Sequence, residues 1–139
     1  MRIKKKKQTE SFQNSDLRSK ADQGDANAQY LLGELYDIGQ DVPKDYVQAR
    51  KWWEQAAAQG HAEAQYLLGG LHDIGHGVPQ DYGKARQWYE QAVVRNHAEA
   101  QYNLGVLYYE GLGVPQDRTK ARELFEKADV QLYSDSRAA

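Results

Sequence analysis

The chain has 139 residues, a net charge of −2, four histidines and no cysteine. The length suits one compact domain, and the composition excludes a disulfide framework and thiol chemistry and leaves little with which to build a structural zinc site. The charge is uneven: residues 2–7 hold five of the 18 basic side chains, so 13 face 20 acids over residues 8–139, a net of −7.

Met1-Arg2-Ile3-Lys4-Lys5-Lys6-Lys7 has the charge of an export leader, but Gln8-Thr9-Glu10-Ser11 stands where an apolar core would be required. No run approaches the ~18 apolar residues of a spanning helix. A soluble, cytoplasmic protein is expected, or a periplasmic one if a leader has been removed. Residues 1–10 are expected to form a disordered basic tail, a solvated end in preference to a contact with nucleic acid or membrane through Arg2 to Lys7. From residue 11 to Gly24 an apolar pattern at Phe12, Leu17 and Ala21 predicts a cap helix over 11–24.

Ala26-Asn27-Ala28-Gln29-Tyr30-Leu31-Leu32-Gly33 returns 36 residues later as Ala62 to Gly69 and again as Ala98 to Gly105. A fixed period of this size predicts stacked repeats, here 26–61, 62–97 and 98–133, followed by a tail over 134–139. The first unit splits where Gly39 can adopt the left-handed stop of a helix, Pro43 cannot continue one and Asp45 can cap the next. Gly75, Gly77, Pro79 and Asp81 repeat that punctuation, as do Gly111, Gly113, Pro115 and Asp117. Gly60 and Asn96, which both tolerate the left-handed conformation, close the second helices.

In the first helix of the first unit, Ala28, Leu31, Leu32, Leu35 and Tyr36 share one arc, with Gln29 and Gly33 at its edge. In the second, Ala49, Trp52, Trp53 and Ala56 stand at i, i+3, i+4 and i+7, the spacing of a buried stripe. Small residues let two backbones approach while Leu32, Tyr36, Trp52 and Trp53 fill the space between. Fifteen positions are identical in all three units, and packing or punctuation explains nearly all of them. The polar exceptions are Gln29, Arg50 and Glu54 with their equivalents. Arg50 and Glu54 are i,i+4 neighbours that predict a surface ion pair. In the third unit Arg118 and Leu124 replace aromatic residues, and the last helix is expected to end near residue 129.

The pattern Ala-x-Ala-x-x-x-Leu-Gly-x-x-Tyr-x-x-Gly-x-Gly-Val-x-x-Asp-x-x-x-Ala-x-x-Trp-x-x-x-Ala resembles the Sel-one-like repeat, a relative of the tetratricopeptide repeat. Residues 98–128 match it except at Leu124, 62–92 except at His72, and 26–56 except that Asp41 takes the second Gly. The resemblance implies an all-α fold, a right-handed α/α superhelix of three helix pairs, bacterial in type, in which the first helices line a concave side. It implies an adaptor or scaffold that binds proteins. A periplasmic or secreted hydrolase-like or peptidoglycan-associated role, proposed for some relatives, is the alternative.

His72 and His76 lie four apart, but Gly75 should end the helix between them, so a metal site is not assigned. His61 and His97 are expected to serve as helix caps or surface residues. No Ser-x-x-Lys, Gly-x-Ser-x-Gly, phosphate loop or nucleotide fingerprint occurs, so no catalytic residue, cofactor or small-molecule substrate is assigned, and a non-enzymatic role is expected.

What remains is the side that packing does not use. It comprises Asn27, Tyr30, Glu34 and Asp37 in unit one, Glu63, Tyr66, Gly70 and Asp73 in unit two, and Glu99, Tyr102, Val106 and Tyr109 in unit three. Acidic groups beside tyrosine suit a basic or aromatic peptide. The identical tyrosines Tyr30, Tyr66 and Tyr102 have a second reading, in which they pack between units. Entry of one copy's basic tail into another's acidic face leaves homo-oligomers open.

Overall fold

The computed structural model describes residues 15–138; the basic tail over 1–10 and the start of the expected cap helix lie outside the described residues. All regular structure among the described residues is helical. The chain divides into two compact units, residues 1–61 and 62–139.

The first unit holds α1 (15–22), α2 (Ala26–Ile38) and α3 (Tyr46–Ala58). Asp25 caps α2 by accepting from the amide of Ala28 at 2.9 Å, and Gly39 at φ 78° closes it with an N–H to the Leu35 carbonyl. Asp45 caps α3, accepting from Val47 and Gln48 at 3.0 and 3.1 Å. Its own amide donates to the Tyr36 carbonyl at 2.9 Å, which ties the connection to the end of α2. Asp41 has φ 63°. It stands where Gly77 and Gly113 stand in the later repeats, and aspartate is among the side chains that tolerate this region best.

Ala21, Ala28, Leu32 and Trp52 form the buried cluster of this unit, flanked by Leu17, Leu35 and Tyr36. The helix α1 therefore packs against α2 through Ala21 and Leu17. Arg18 places its guanidinium 5.4 Å from the Trp52 ring centre and donates to the Tyr36 hydroxyl at 3.4 Å. Gln29, expected at the edge of the apolar arc, is only 3% exposed. Its amide donates to the Ala21 carbonyl at 3.1 Å and its carbonyl accepts from Gln59 at 2.9 Å, so in this unit Gln29 is buried with both ends of its amide hydrogen-bonded. Leu31, placed by the sequence on the buried arc, is 38% exposed. The packed arc is narrower than five residues.

The second unit holds α4 (Ala62–Ile74), α5 (Tyr82–Val94), α6 (Ala98–Glu110) and α7 (Arg118–Ala138). The amide of Asp81 donates to the His72 carbonyl and that of Asp117 to the Tyr108 carbonyl, each at 2.9 Å, so the tie seen at Asp45 recurs at both later connections. Asn96 closes α5 at φ 59°. A buried cluster of Ala85, Tyr89 and Ala92 on α5, Ala100, Leu104 and Leu107 on α6, and Leu124 on α7 joins three helices. Arg50–Glu54 and Arg86–Glu90 form the expected i,i+4 pairs at 3.7 and 3.3 Å. Both are partly exposed, so each contributes at most a few tenths of a kcal/mol.

The last helix differs from expectation. It runs to Ala138 without a break, where the sequence reading ended it near residue 129. Val130, Leu132 and Tyr133 on this extension are 65, 46 and 63% exposed. Fading apolar content does not stop a helix, and no Gly or Pro follows Asp117 to do so.

Candidate functional site

In each repeat a glycine of the first helix receives an aromatic ring from the second helix, 20 residues on. A Cβ built on Gly33 would meet the Trp53 indole, one on Gly69 would lie 2.5 Å from the Tyr89 ring, and one on Gly105 would lie 2.6 Å from Phe125. Trp53 and Tyr89 are buried and reach the first helix through polar contacts as well. The Trp53 indole N–H donates to the Tyr30 carbonyl at 3.1 Å, and the Tyr89 hydroxyl donates to Asp73 Oδ2 at 2.9 Å.

Within the second unit the α4 and α6 residues are brought together by His97. Its Nδ1 caps α6 by accepting from the amide of Ala100 at 3.2 Å, and its Nε2 lies 2.6 Å from Glu63 Oε2. A ring nitrogen that accepts a backbone N–H has no proton, so the imidazole proton sits on Nε2 and is donated to Glu63. Tyr66 stacks on this imidazole with centroids 4.7 Å apart and planes 27° apart. Behind it Tyr66 meets the ring of Tyr89 at 6.0 Å. Glu63 and Asp73 are thus held by His97 and Tyr89. Gly70 is half-buried beside them, with nothing within 4 Å of a Cβ built on it.

The surroundings of Tyr66 and Tyr89 set their acidity. Burial is the largest influence on Tyr89, followed by the charge of Asp73 and the hydrogen bond to it, and together they push its hydroxyl far above the usual tyrosine value. Tyr66 is raised mainly by burial, with Glu99, Glu63 and Asp73 adding to it and Asn103 opposing. A folded-state pKa above the unfolded value of ~10 means that the stabilisation is whole below pH ~10 and is lost as pH climbs through the folded value. Stability to denaturant should therefore fall steadily above pH ~10, and in an ultraviolet titration Tyr66 and Tyr89 should ionise late. A single ionisation step for all ten tyrosines, with the fold intact, would show that Tyr89 is not buried in solution.

The α6 row is more open. Tyr102 is 53% and Tyr109 42% exposed, Glu99 is exposed and Val106 is half-buried. Tyr102 leans on Phe125 at 5.2 Å, and the guanidinium of Arg118 lies 4.7 Å from the Tyr109 ring centre. In the first unit Asn27 is exposed and Asp37 half-buried, while the Tyr30 hydroxyl donates to Glu34 Oε1 at 2.8 Å and its ring stacks on His61 at 4.6 Å. Among the described residues no group of three His, Asp or Glu side chains is placed to hold a metal ion.

Trp53, Tyr89, His97 and Asn103, which the sequence pattern does not single out as binding residues, make contacts with the first-helix residues or with each other. Asn103 Nδ2 donates to the Tyr89 hydroxyl at 3.4 Å. The signal for the rings was the constant offset between Gly33 and Trp53, Gly69 and Tyr89, and Gly105 and Phe125. The signal for the imidazoles was the same 36-residue step that separates His61 from His97.

The Sel1 repeat pattern matches residues 26–61, 62–93 and 98–128, three copies over most of the chain. The chain belongs to the Sel1 repeat family. A protective antigen present in uropathogenic Escherichia coli strains, whose structure displays an SLR fold, is 42% identical with a TM-score of 0.83 over 85% of this chain. This chain spans only 25% of that antigen's length. A Sel1 repeat protein from Oxalobacter formigenes is 40% identical with a TM-score of 0.78, covering 84% of this chain and 88% of its own. Helicobacter pylori cysteine rich protein B, at 23% identity and a TM-score of 0.66 over 85% of this chain and 90% of its own, shares the fold. Among curated proteins none matches the chain. Sel1 repeat proteins are typically scaffolds for protein–protein interaction, and among the described residues no helix of this one is long and apolar enough to cross a membrane.

Proposed function

We propose that this Sel1 repeat protein is a non-catalytic adaptor that holds a basic or aromatic peptide segment of another protein. The observation that carries this reading is the α6 row, where Glu99, Tyr102 and Tyr109 are exposed although the tyrosines equivalent to Tyr102, namely Tyr30 and Tyr66, are stacked on imidazoles. Tyrosine offers a large amphipathic contact at low entropic cost, and carboxylates select cationic over anionic segments. On α4, Glu63 and Asp73 add negative charge while bound to His97 and Tyr89, so they contribute field more than free hydrogen-bonding capacity. Asn27, Tyr30, Glu34 and Asp37 give the first unit a surface of the same chemistry.

A panel of peptides rich in Lys, Arg and Trp, set against acidic peptides of equal length, tests this by fluorescence anisotropy. The basic and aromatic set should bind at least about tenfold more tightly. Val106→Arg, which adds a cation in the middle of the α6 row, should remove that preference. Glu123→Gln on α7 makes the same change in net charge and should leave it. Equal binding of both peptide sets, or equal effects of the two substitutions, would overturn the reading.

A further inference from the structure

The stacked tyrosines form a series with one member uncovered. Tyr30 carries His61 at 4.6 Å and Tyr66 carries His97 at 4.7 Å, with interplanar angles of 25° and 27°. In the second case the grip has two parts: Tyr66 presents a face to the ring, and Glu63, one helical turn earlier, takes the proton of Nε2 at 2.6 Å. Tyr102 and Glu99 have the same spacing on α6. Tyr102 is also supported from behind, by Phe125 at 5.2 Å, as Tyr66 is by Tyr89 at 6.0 Å.

Among the described residues no imidazole stacks on Tyr102, although Glu99 Oε2 lies 3.5 Å from His97 Nδ1. The residue 36 positions after His97 is Tyr133, and it lies on the continuous helix α7, where its hydroxyl accepts from Arg137 at 3.2 Å. It is 63% exposed, and Tyr102 is 53% exposed. Tyr102 is therefore open to water next to a largely exposed carboxylate whose far side touches His97, in the tyrosine–glutamate spacing that the same chain uses at Glu63 and Tyr66 to hold a histidine.

We propose that Tyr102 and Glu99 form a seat for a histidine side chain of a protein partner. The chemistry that fits is a flat ring carrying an N–H. An ammonium has charge but no face to stack, and a phenyl ring has a face but no proton for Glu99. This deepens the adaptor reading and rests on it, because it names one side chain that the bound segment supplies. A second copy of this chain joined end to end is a poor occupant. Its residue at the corresponding repeat position is Asp25, which would set a carboxylate against Glu99.

The chain has no cysteine, so a thiol introduced by Val106→Cys, one turn beyond Tyr102, is unique. The full-length variant is equilibrated with small disulfides that carry an imidazole, guanidinium, ammonium or phenyl head, and capture is measured by mass spectrometry. The imidazole head should be captured about fivefold more readily than the ammonium or phenyl heads and ahead of guanidinium. Tyr102→Ala and Glu99→Gln, both at exposed positions, should each remove that preference. Equal capture of all four heads, guanidinium captured ahead of imidazole, or a preference that survives both substitutions would overturn the seat. Peptide binding that persists when the seat fails would leave the adaptor reading standing, whereas loss of the peptide preference alone would count against that reading and not the seat.

Discussion

Gly69→Leu is expected to lower the stability of the folded chain by more than about 2 kcal/mol. Gly69 is buried in α4, and a Cβ at that position would lie 2.5 Å from two carbons of the Tyr89 ring. Relief requires the ring to move, yet Tyr89 is 1% exposed, bound to Asp73 and packed in the cluster that joins α5, α6 and α7. The adjacent glycine separates steric cost from helix propensity. Gly70 has open space around a built Cβ, so Gly70→Ala should be neutral or stabilising by up to about 1 kcal/mol. Urea denaturation of both variants followed by circular dichroism decides the matter, and an unchanged midpoint for Gly69→Leu would refute the close crossing of α4 and α5.

Trp53→Ala should cost about 3–5 kcal/mol, the range for deleting a fully buried large aromatic side chain. Trp53 is 2% exposed, lies against Gly33 and donates to the Tyr30 carbonyl, so its loss opens a cavity and removes a hydrogen bond at one stroke. Trp52 provides the contrast. Its indole N–H is buried with no hydrogen-bond partner among the described residues, so Trp52→Phe removes a desolvated donor along with some volume and should cost less than Trp53→Phe. The ranking of the two Phe variants in urea midpoint checks the assignment; a Trp53→Ala midpoint near that of the parent protein would contradict it.

These two contacts also mark the limit of what could be read from the chain. Position 33 was legible as a place where backbones approach, because a small residue recurs there every 36 residues beside large ones. Which large residue comes down on it was not, since a helical stripe contains both Trp52 and Trp53, and only the crossing angle of two helices chooses between them. The sequence pattern predicts Glu63 and Asp73 on one side of α4. That Glu63 is held by His97, 34 residues away, depended on α6 being packed beside α4 so that its cap falls within 2.6 Å. Leu31 shows the converse error. A 100° step per residue identifies an apolar side but not the width of the arc that neighbouring helices cover.

The amino-acid pattern alone determined the number of repeats, the turns and the caps, because these depend on backbone preferences within a few residues. Gly39, Asp45 and Asn96 behave as their own chemistry requires, and even Asp41 takes the left-handed conformation of the glycines that replace it later in the chain. Tertiary packing decided which polar groups are occupied and which stay open. Tyr66 and Tyr102 are the same residue in the same repeat position, but one is covered by an imidazole and the other faces water. The difference lies in what the next 36-residue step brings to the ring, the His97 cap of α6 for Tyr66 and a position inside the continuous helix α7 for Tyr102, which no local preference of the tyrosine can specify.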